Sequence, residues 1–266
     1  MPKNKKLRFG CFITARTSST RLPQKALLPI RGKMVIEHDI ERAESIDGVD
    51  AIILCTSDRP EDNILEEIAR KQGINFFRGP LKDIIARWLG AATKFNLDYF
   101  VEFDGDDLFC DPELMSSAIG QMLEEPCDLL RPPPDLVCGG AGYCISVPAL
   151  KKVYDIKGTD DVDFWPVYFT DTGLFKVRDL KVEDPIFKNP KARLTLDYPE
   201  DLEFFKKIFD ELDINTNNVP LRRILELLNQ KPEITEINFF RQQEFADNQK
   251  KKTKLVPKEN KTKTGF

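Results

Sequence analysis

The sequence predicts an α/β fold built on a mostly parallel sheet with helices on both faces. From Leu7 to Phe103, apolar strand-like runs alternate with amphipathic helical runs, the pattern of successive βαβ units. The run DAIILCT, Asp50–Thr56, is continuously apolar in its middle, as strands buried on both faces are. Hydrophobic residues make up 41% of the 266, enough for a sizeable core in one large domain or two small ones.

The elements follow in order. Leu7–Thr14 is the first strand, and it runs into a loop carrying Arg16, Arg21 and Lys25. Thr17, Ser18, Ser19 and Thr20 separate the two arginines. Three cations within ten residues, straight after a buried strand, form a candidate polyphosphate clamp. Arginine offers forked donors to phosphate oxygens, lysine a compact point charge, and small residues let backbone N–H groups approach. Ligands of such sheets bind at the carboxyl ends of strands, where this loop lies. A helix is expected near Val35–Ser45 and contains His38, read as a structural residue half covered by its neighbours. His38 is the only histidine, which excludes serine–histidine triads, cysteine–histidine pairs and H-E-x-x-H metalloprotease sites.

Asp50–Thr56 is a strand, Glu61–Lys71 a helix with Ile64, Leu65 and Ile68 on one face, and Ile74–Phe77 a strand. Asp83–Phe95 is helical, with Ile84, Ile85, Trp88, Leu89 and Ala92 on its apolar face. Tyr99–Phe103 is the next strand and opens into the acidic turn EFDGDDLFCDP, residues 102–112. Several carboxylates at a strand's carboxyl end suit a hard divalent cation, and magnesium often takes one or two carboxylates plus substrate phosphates. Asp111 is better read as the cap of the helix Pro112–Leu123, through D-P-E-L. Asp106 is the candidate metal ligand.

Beyond this point the pattern changes. Leu130–Pro134 holds three prolines and is not expected as a central strand. YCISVPALKKVY reads as a strand and then a helix; Asp160–Thr170 is acidic, aromatic and unassigned. Leu174–Val177 and Arg193–Leu196 are expected strands, Pro199–Leu212 and Leu221–Asn229 expected helices. One domain, residues 1–240, is expected, with 131–190 as an inserted acceptor or dimerisation lobe. Residues 241–266 are expected to be a disordered basic tail: within 248–266 seven lysines face one glutamate. The rest of the chain is therefore acidic, which argues against nucleic acid as the main partner. The six cysteines form no C-x-x-C pair and are expected as buried, reduced thiols. No stretch approaches the ~20 apolar residues of a membrane span, and the run after MPKNKKLRFG is too short for a signal peptide, so a cytoplasmic location is expected.

Several motifs carry a family resemblance. The first has the form AR-x-x-S-T-R-L-P-x-K-x-L and comprises Ala15, Arg16, Ser19, Thr20, Arg21, Leu22, Pro23, Lys25 and Leu27. The second is G-D-x-x-x-x-D-P at Gly105, Asp106, Asp111 and Pro112; the third is RLTLDYPEDL, Arg193–Leu202. A weaker one, FFRGPLKDIIARW, contains Gly79 and Arg87. Together they resemble the nucleotide-sugar cytidylyltransferases, above all the spore-coat-polysaccharide type, with the 3-deoxy-manno-octulosonate and acylneuraminate enzymes as cousins.

The resemblance implies a Rossmann-like, three-layer α/β/α nucleotidyltransferase fold of the GT-A-like kind. It implies transfer of CMP from CTP to an acidic sugar with release of pyrophosphate, and a homodimer. Ala15, Arg16, Arg21, Lys25, Gly79, Arg87 and Gly105 would then lie beside the nucleotide. Arg16, Arg21 and Lys25 would stabilise charge during transfer, and Asp106 and Asp197 would share one Mg2+. A helical salt bridge accounts equally well for Arg87. The chain departs from the family in having Asp107 and Leu108 in place of cysteine and proline. It also has Glu102 and Asp104 where basic or neutral residues are common. Whether Asp104 or Asp107 shares the metal is left open. An acidic–histidine pair near the family's acceptor site is replaced here by DDVDFWP, which leaves the acceptor open too. Another nucleotide, a phosphorylated polyol acceptor, or a nucleotide-binding protein with a decayed site are the alternatives.

Overall fold

The computed structural model describes residues 6–162, 164–252 and 254–258. Its strands are β1 (Phe9–Thr14), β2 (Pro29–Ile30), β3 (Lys33–Met34), β4 (Ala51–Ser57), β5 (Asn75–Gly79), β6 (Tyr99–Asp104), β7 (Leu129–Arg131), β8 (Tyr143–Ser146) and β9 (Val177–Asp179). Its helices are α1 (Val35–Glu44), α2 (Asn63–Lys71), α3 (Ile84–Lys94), α4 (Pro112–Glu124), α5 (Val147–Ile156), α6 (Val167–Thr170), α7 (Pro199–Glu211), α8 (Leu221–Gln230), α9 (Glu233–Phe239) and α10 (Gln242–Lys252).

Seven strands form one sheet in the order β5-β4-β1-β6-β8-β7-β9. The first four run parallel, β8 is antiparallel to both its neighbours, and β9 is parallel to β7. Alternation along β1 sorts its side chains: Cys11 and Ile13 face one layer, Phe12 the other. The first layer holds Ile36 and Ile40 of α1, Leu65 and Ile68 of α2, and Leu114 and Met115 of α4. The second holds Ile85 and Trp88 of α3 and Leu150 and Val153 of α5. A third apolar cluster joins Leu194 and Leu196 to Phe205 and Phe209 of α7 and Ile224 and Leu225 of α8. The helix starts are those the sequence signals. Asp111 accepts from Leu114 N–H at 2.9 Å, and Asp83 from Ala86 N–H at 3.0 Å.

Four expectations need correction. Residues 129–131 do form a strand with partners on both sides, because β7 stops at Arg131 and the prolines lie beyond its ladder. Arg193–Leu196 is extended but pairs with no strand. Leu194 N–H donates to the Cys138 carbonyl and Leu196 N–H to the Asp106 carbonyl, both at 2.9 Å, so the segment is laid against loop backbone. Of the expected disordered tail, Gln242–Lys252 form α10 and residues 254–258 are also described. Phe245 of α10 lies under the Arg193 guanidinium at 4.7 Å, and Arg241 pairs with Glu200 at 2.8 Å. Beyond α10, Gly158 N–H donates to Val256 and Lys258 N–H to Ile156, at 2.6 and 2.8 Å. The remaining tail, 259–266, lies outside the described residues. Within 131–190, β8, α5 and β9 complete the main body. His38 is fully rather than half buried, with Nε2 2.9 Å from the Ile30 carbonyl oxygen and its ring 4.7 Å from Phe209. All six cysteines are free thiols; Cys138 is half-buried and the others are buried.

Candidate active site

The loop after β1 is held in place before it holds anything. Ala15 N–H donates to the Cys55 carbonyl at 3.2 Å. Thr17 donates to Asp62 through its N–H at 2.8 Å and its hydroxyl at 2.6 Å, and Ser57 also bonds Asp62. Burial raises the Asp62 pKa, but these donors outweigh it and leave the carboxyl below its ordinary value.

From this loop the predicted cations diverge. Arg16 turns toward the loop after β5, its Nη1 3.4 Å from the Leu81 carbonyl oxygen. Arg87, buried on α3, donates to the Pro80 carbonyl at 3.1 Å. Gly79 permits this packing, since a Cβ there would stand 3.1 Å from Arg87 Cγ. A cavity of about 480 Å³ opens beside this loop, lined by Asp58, Arg59, Pro60, Pro80, Lys82 and Asp160 together with Leu81. Arg21 and Lys25 turn the other way, onto carboxylates. Arg21 bonds Asp197, and Lys25 joins Asp106 to Asp197, with Nζ 3.1 Å from Asp197 Oδ1. Burial works against the Lys25 charge, yet Asp106 and Asp197 raise its pKa above the ordinary value.

The two aspartates meet because their backbones do. Leu196 N–H bonds the Asp106 carbonyl, which brings the end of the 193–197 segment against the turn after β6. That turn is closely constrained. Gly105 N–H donates to Thr14 at 2.8 Å, and a Cβ on Gly105 would lie 2.9 Å from that of Ala15. Arg42, fully buried on α1, donates to the Phe109, Cys110 and Val219 carbonyls.

Asp197 is surrounded by cations. Arg21 and Lys25 bond its Oδ1, and buried Arg193 bonds Oδ2 at 2.9 Å. Burial raises its pKa, but Lys25, Arg21 and Arg193 override that and bring it to about 2. Asp106 feels the same Lys25, but burial and the Asp197 charge leave its pKa raised. Asp104 stands at the solvent edge with protein enclosing its inner side. That enclosure and Asp106 push it to about 7, a rise that water at the edge damps. Burial and neighbouring Asp106 and Asp104 hold Asp107 well above the carboxylate range.

Some site residues escaped the sequence reading. Arg193, which the sequence places in the third motif without a role of its own, fixes Asp197 together with Asp201: Asp201 accepts from the Asp197 and Tyr198 N–H groups at 2.8 Å each. Asp39 is fully buried, and both carboxylate oxygens lack a hydrogen-bond partner among the described residues. Its signal was there: residues 35, 36, 39, 40 and 43 mark one face of α1, and an aspartate occupies the middle of it. Glu102, 3% exposed with Oε2 unpartnered, interrupts the apolar strand YFVEF.

Residues 11–219 match the model of a family described as cytidylyltransferase. The chain belongs to the cytidylyltransferase family. It is similar to the spore coat polysaccharide biosynthesis protein SpsF of Bacillus subtilis, 27% identical over 83% of this chain and 94% of that one. The 8-amino-3,8-dideoxy-manno-octulosonate cytidylyltransferase of Shewanella amazonensis is 31% identical over 66% of this chain and 70% of its own. Among solved structures, a cytidylyltransferase from Leptospira borgpetersenii superposes with a TM-score of 0.78 at 25% identity, covering 86% of this chain and 97% of the other. This cytidylyltransferase is thus a CTP-dependent nucleotidyltransferase on an α/β/α fold.

The donor set fits the metal that the resemblance implies. Asp104, Asp106 and Asp107 each offer a carboxylate oxygen within 4.8 Å of the others, and oxygen-only donors suit magnesium. No helix among the described residues is long and apolar enough to cross a membrane.

Proposed function

We propose that this cytidylyltransferase transfers CMP from CTP to a sugar acceptor, an acidic sugar being the expected class, with release of pyrophosphate. The supporting observation is the convergence of Arg21, Lys25, Asp106 and Asp197 at the carboxyl end of the sheet.

The triphosphate lies across the loop after β1, and the nucleoside extends toward the cavity beside Arg16, Gly79 and Arg87. Ala15 and Gly105 keep that approach narrow. An acceptor hydroxyl oxygen attacks the α-phosphorus and gives up its proton to solvent. The new O–P bond forms as the bond to the bridging β-phosphate oxygen breaks, and the pair of electrons leaves with pyrophosphate. Arg21 and Lys25 exchange part of their hold on Asp197 and Asp106 for phosphate oxygens and stabilise the departing charge. Arg16 supplies a further cation at the nucleoside side. Asp106 and Asp197 would hold Mg2+, which when bound would supply positive charge to the phosphates and lower the pKa of the acceptor hydroxyl. Arg193 and Asp201 keep Asp197 ionised and oriented. Positioning and charge carry the catalysis, so no histidine is required.

A homodimer in the cytoplasm is part of the same proposal, and light scattering at micromolar concentration tests the dimer. The reaction is tested with a panel of nucleoside triphosphates and acceptors, read by pyrophosphate release and by mass spectrometry of the conjugate. A CMP conjugate of an acidic sugar supports the proposal. Turnover only with another triphosphate or with a phosphorylated polyol overturns it.

A further inference from the structure

We propose that the C-terminal segment Leu255–Lys258 is a strap that positions the nucleoside side of the site, with Lys157 as the positioning residue that carries its hold to the cavity. The inference rests on the placement of the nucleoside in the cavity beside Arg16 and adds what fixes the shape of that cavity.

Two loops line that cavity, one with Pro80, Leu81 and Lys82, the other with Asp160. The second loop has little apolar hold: Gly158, Asp160 and Asp161 are exposed and Thr159 is half-buried. Polar ties keep it in place, and Lys157 supplies most of them. Its side chain is 4% exposed. Its ammonium donates to Asp83 Oδ2, to the Thr159 carbonyl at 3.0 Å and to Asp160 at 2.7 Å. Asp83 ends the first loop and caps α3 through Ala86 N–H. Val162 N–H donates to the Lys82 carbonyl at 2.9 Å and joins the loops a second time. The carbonyls of the first loop receive the guanidiniums, Leu81 from Arg16 at 3.4 Å and Pro80 from Arg87 at 3.1 Å.

The strap pairs with the backbone on either side of Lys157. Gly158 N–H donates to the Val256 carbonyl at 2.6 Å and Lys258 N–H to the Ile156 carbonyl at 2.8 Å, an antiparallel bridge centred on Lys157 and Pro257. The Tyr168 hydroxyl donates to the same Val256 carbonyl at 3.3 Å. This approach needs a glycine, since a Cβ on Gly158 would stand 2.5 Å from the Pro257 carbonyl oxygen. A buried ion pair adds little net stability, because desolvation offsets the attraction; here it fixes one arrangement of two loops. The contacts run without a gap from Pro257 through Lys157 and Asp83 to Leu81 and Arg16. Arg21 and Lys25 lie on the other branch, bonded to Asp197 and Asp106. Loss of the strap is therefore felt by the nucleoside and not by the triphosphate.

The test is Gly158→Ala in the full chain, whose added methyl displaces Pro257 and alters no side chain that lines the cavity. Binding of CTP and of inorganic tripolyphosphate, each with magnesium, is measured by titration calorimetry on the unaltered and altered proteins. The expected result is CTP binding weakened about 3- to 30-fold, the scale for a residue acting on a site through its neighbours, with tripolyphosphate binding unchanged. Lys157→Met, which keeps the stem and removes the ammonium, should do the same. Thermal melting confirms folding, and deletion of residues 254–266 gives the same comparison if either variant is unfolded. Full-strength CTP binding by the folded variants overturns the inference. Equal weakening of CTP and tripolyphosphate also overturns it, because that is general loosening rather than positioning. Failure of the unaltered chain to bind CTP or tripolyphosphate overturns the placement of the nucleotide itself, and the inference with it, so the two failures are distinguishable.

Discussion

Replacing Lys25 by alanine removes the ammonium that joins Asp106 to Asp197. Its Nζ bonds Asp106 and lies 3.1 Å from Asp197 Oδ1, on a side chain only 17% exposed. At an effective dielectric of about 20, unit charges some 3 Å apart interact by about 5 kcal/mol. Removing the ammonium and both carboxylates from water offsets much of that, so the pairs are worth far less to folding than their Coulomb energy. The catalytic loss has a clearer scale. In the proposed transfer the same charge faces the phosphates, and losing one donor to a developing oxyanion costs about 2.7 to 4 kcal/mol, or about 10²- to 10³-fold in rate. Lys25→Ala should therefore lower kcat/KM for CTP by about 10²- to 10³-fold. Lys25→Arg should recover part of the loss, because charge is kept while the compact ammonium is not. The assay is continuous pyrophosphate release at saturating acceptor, with a thermal melt to confirm folding. Unchanged steady-state kinetics in a folded Lys25→Ala protein would refute the reasoning.

The remaining predictions concern the carboxylates and the tail. Asp106→Asn and Asp197→Asn should each abolish magnesium-dependent turnover, and the double variant should be hardly worse than either, as for residues sharing one role; additive losses would separate their roles. Because the Asp197 pKa is lowered to about 2 in the folded chain, its contribution is present above the unfolded carboxylate pKa of about 3.9 and lost as pH falls from about 4 to 2. That contribution is about 2 to 3 kcal/mol, and denaturant melts of Asp197→Asn should show a flatter acid limb over that window than the unaltered chain. Deleting residues 254–266 removes the two backbone bonds to Ile156 and Gly158, at about 0.5 to 1.5 kcal/mol each. The expected outcome is a Tm lower by roughly 2 to 4 °C per kcal/mol with kcat unchanged; loss of kcat in a folded protein would place the tail in the reaction.

The parallel half of the sheet was legible because strand runs and helical faces there are long, periodic and bounded by caps. Leu7–Thr14 became Phe9–Thr14, and Asp83–Phe95 became Ile84–Lys94 with Asp83 as cap. Legibility failed where pairing is decided by distant residues. Leu129–Arg131 is a strand because β8 and β9 flank it, whatever the prolines after it suggest. Arg193–Leu196 has a strand's composition but meets loop carbonyls at Cys138 and Asp106. The tail's polarity suggested disorder, yet Phe245 and Arg241 tie α10 to Arg193 and Glu200.

For the site, the motifs that carry the resemblance single out Arg21, Lys25, Asp106 and Asp197 as candidates, and the fold places these four side chains together. The same motifs single out Arg16, Gly79 and Arg87, which the fold places along the neighbouring loop. They did not reveal how the cations are used in the free protein, because Lys25 and Asp106 are 81 residues apart and only the fold makes them partners. Nor did they reveal the buried, unpartnered acids Asp39 and Glu102, because burial is a tertiary property.

The central claim is CMP transfer at the centre built by Lys25, Asp106 and Asp197. It is tested most directly by incubating the protein with α-phosphorus-labelled CTP, magnesium and acidic sugars, and following the label. The account predicts that the label moves to the sugar as a CMP conjugate in step with pyrophosphate release, and that Lys25→Ala and Asp106→Asn suppress both. Label that stays in CTP across the sugar panel, or transfer that proceeds undiminished in those folded variants, would contradict it.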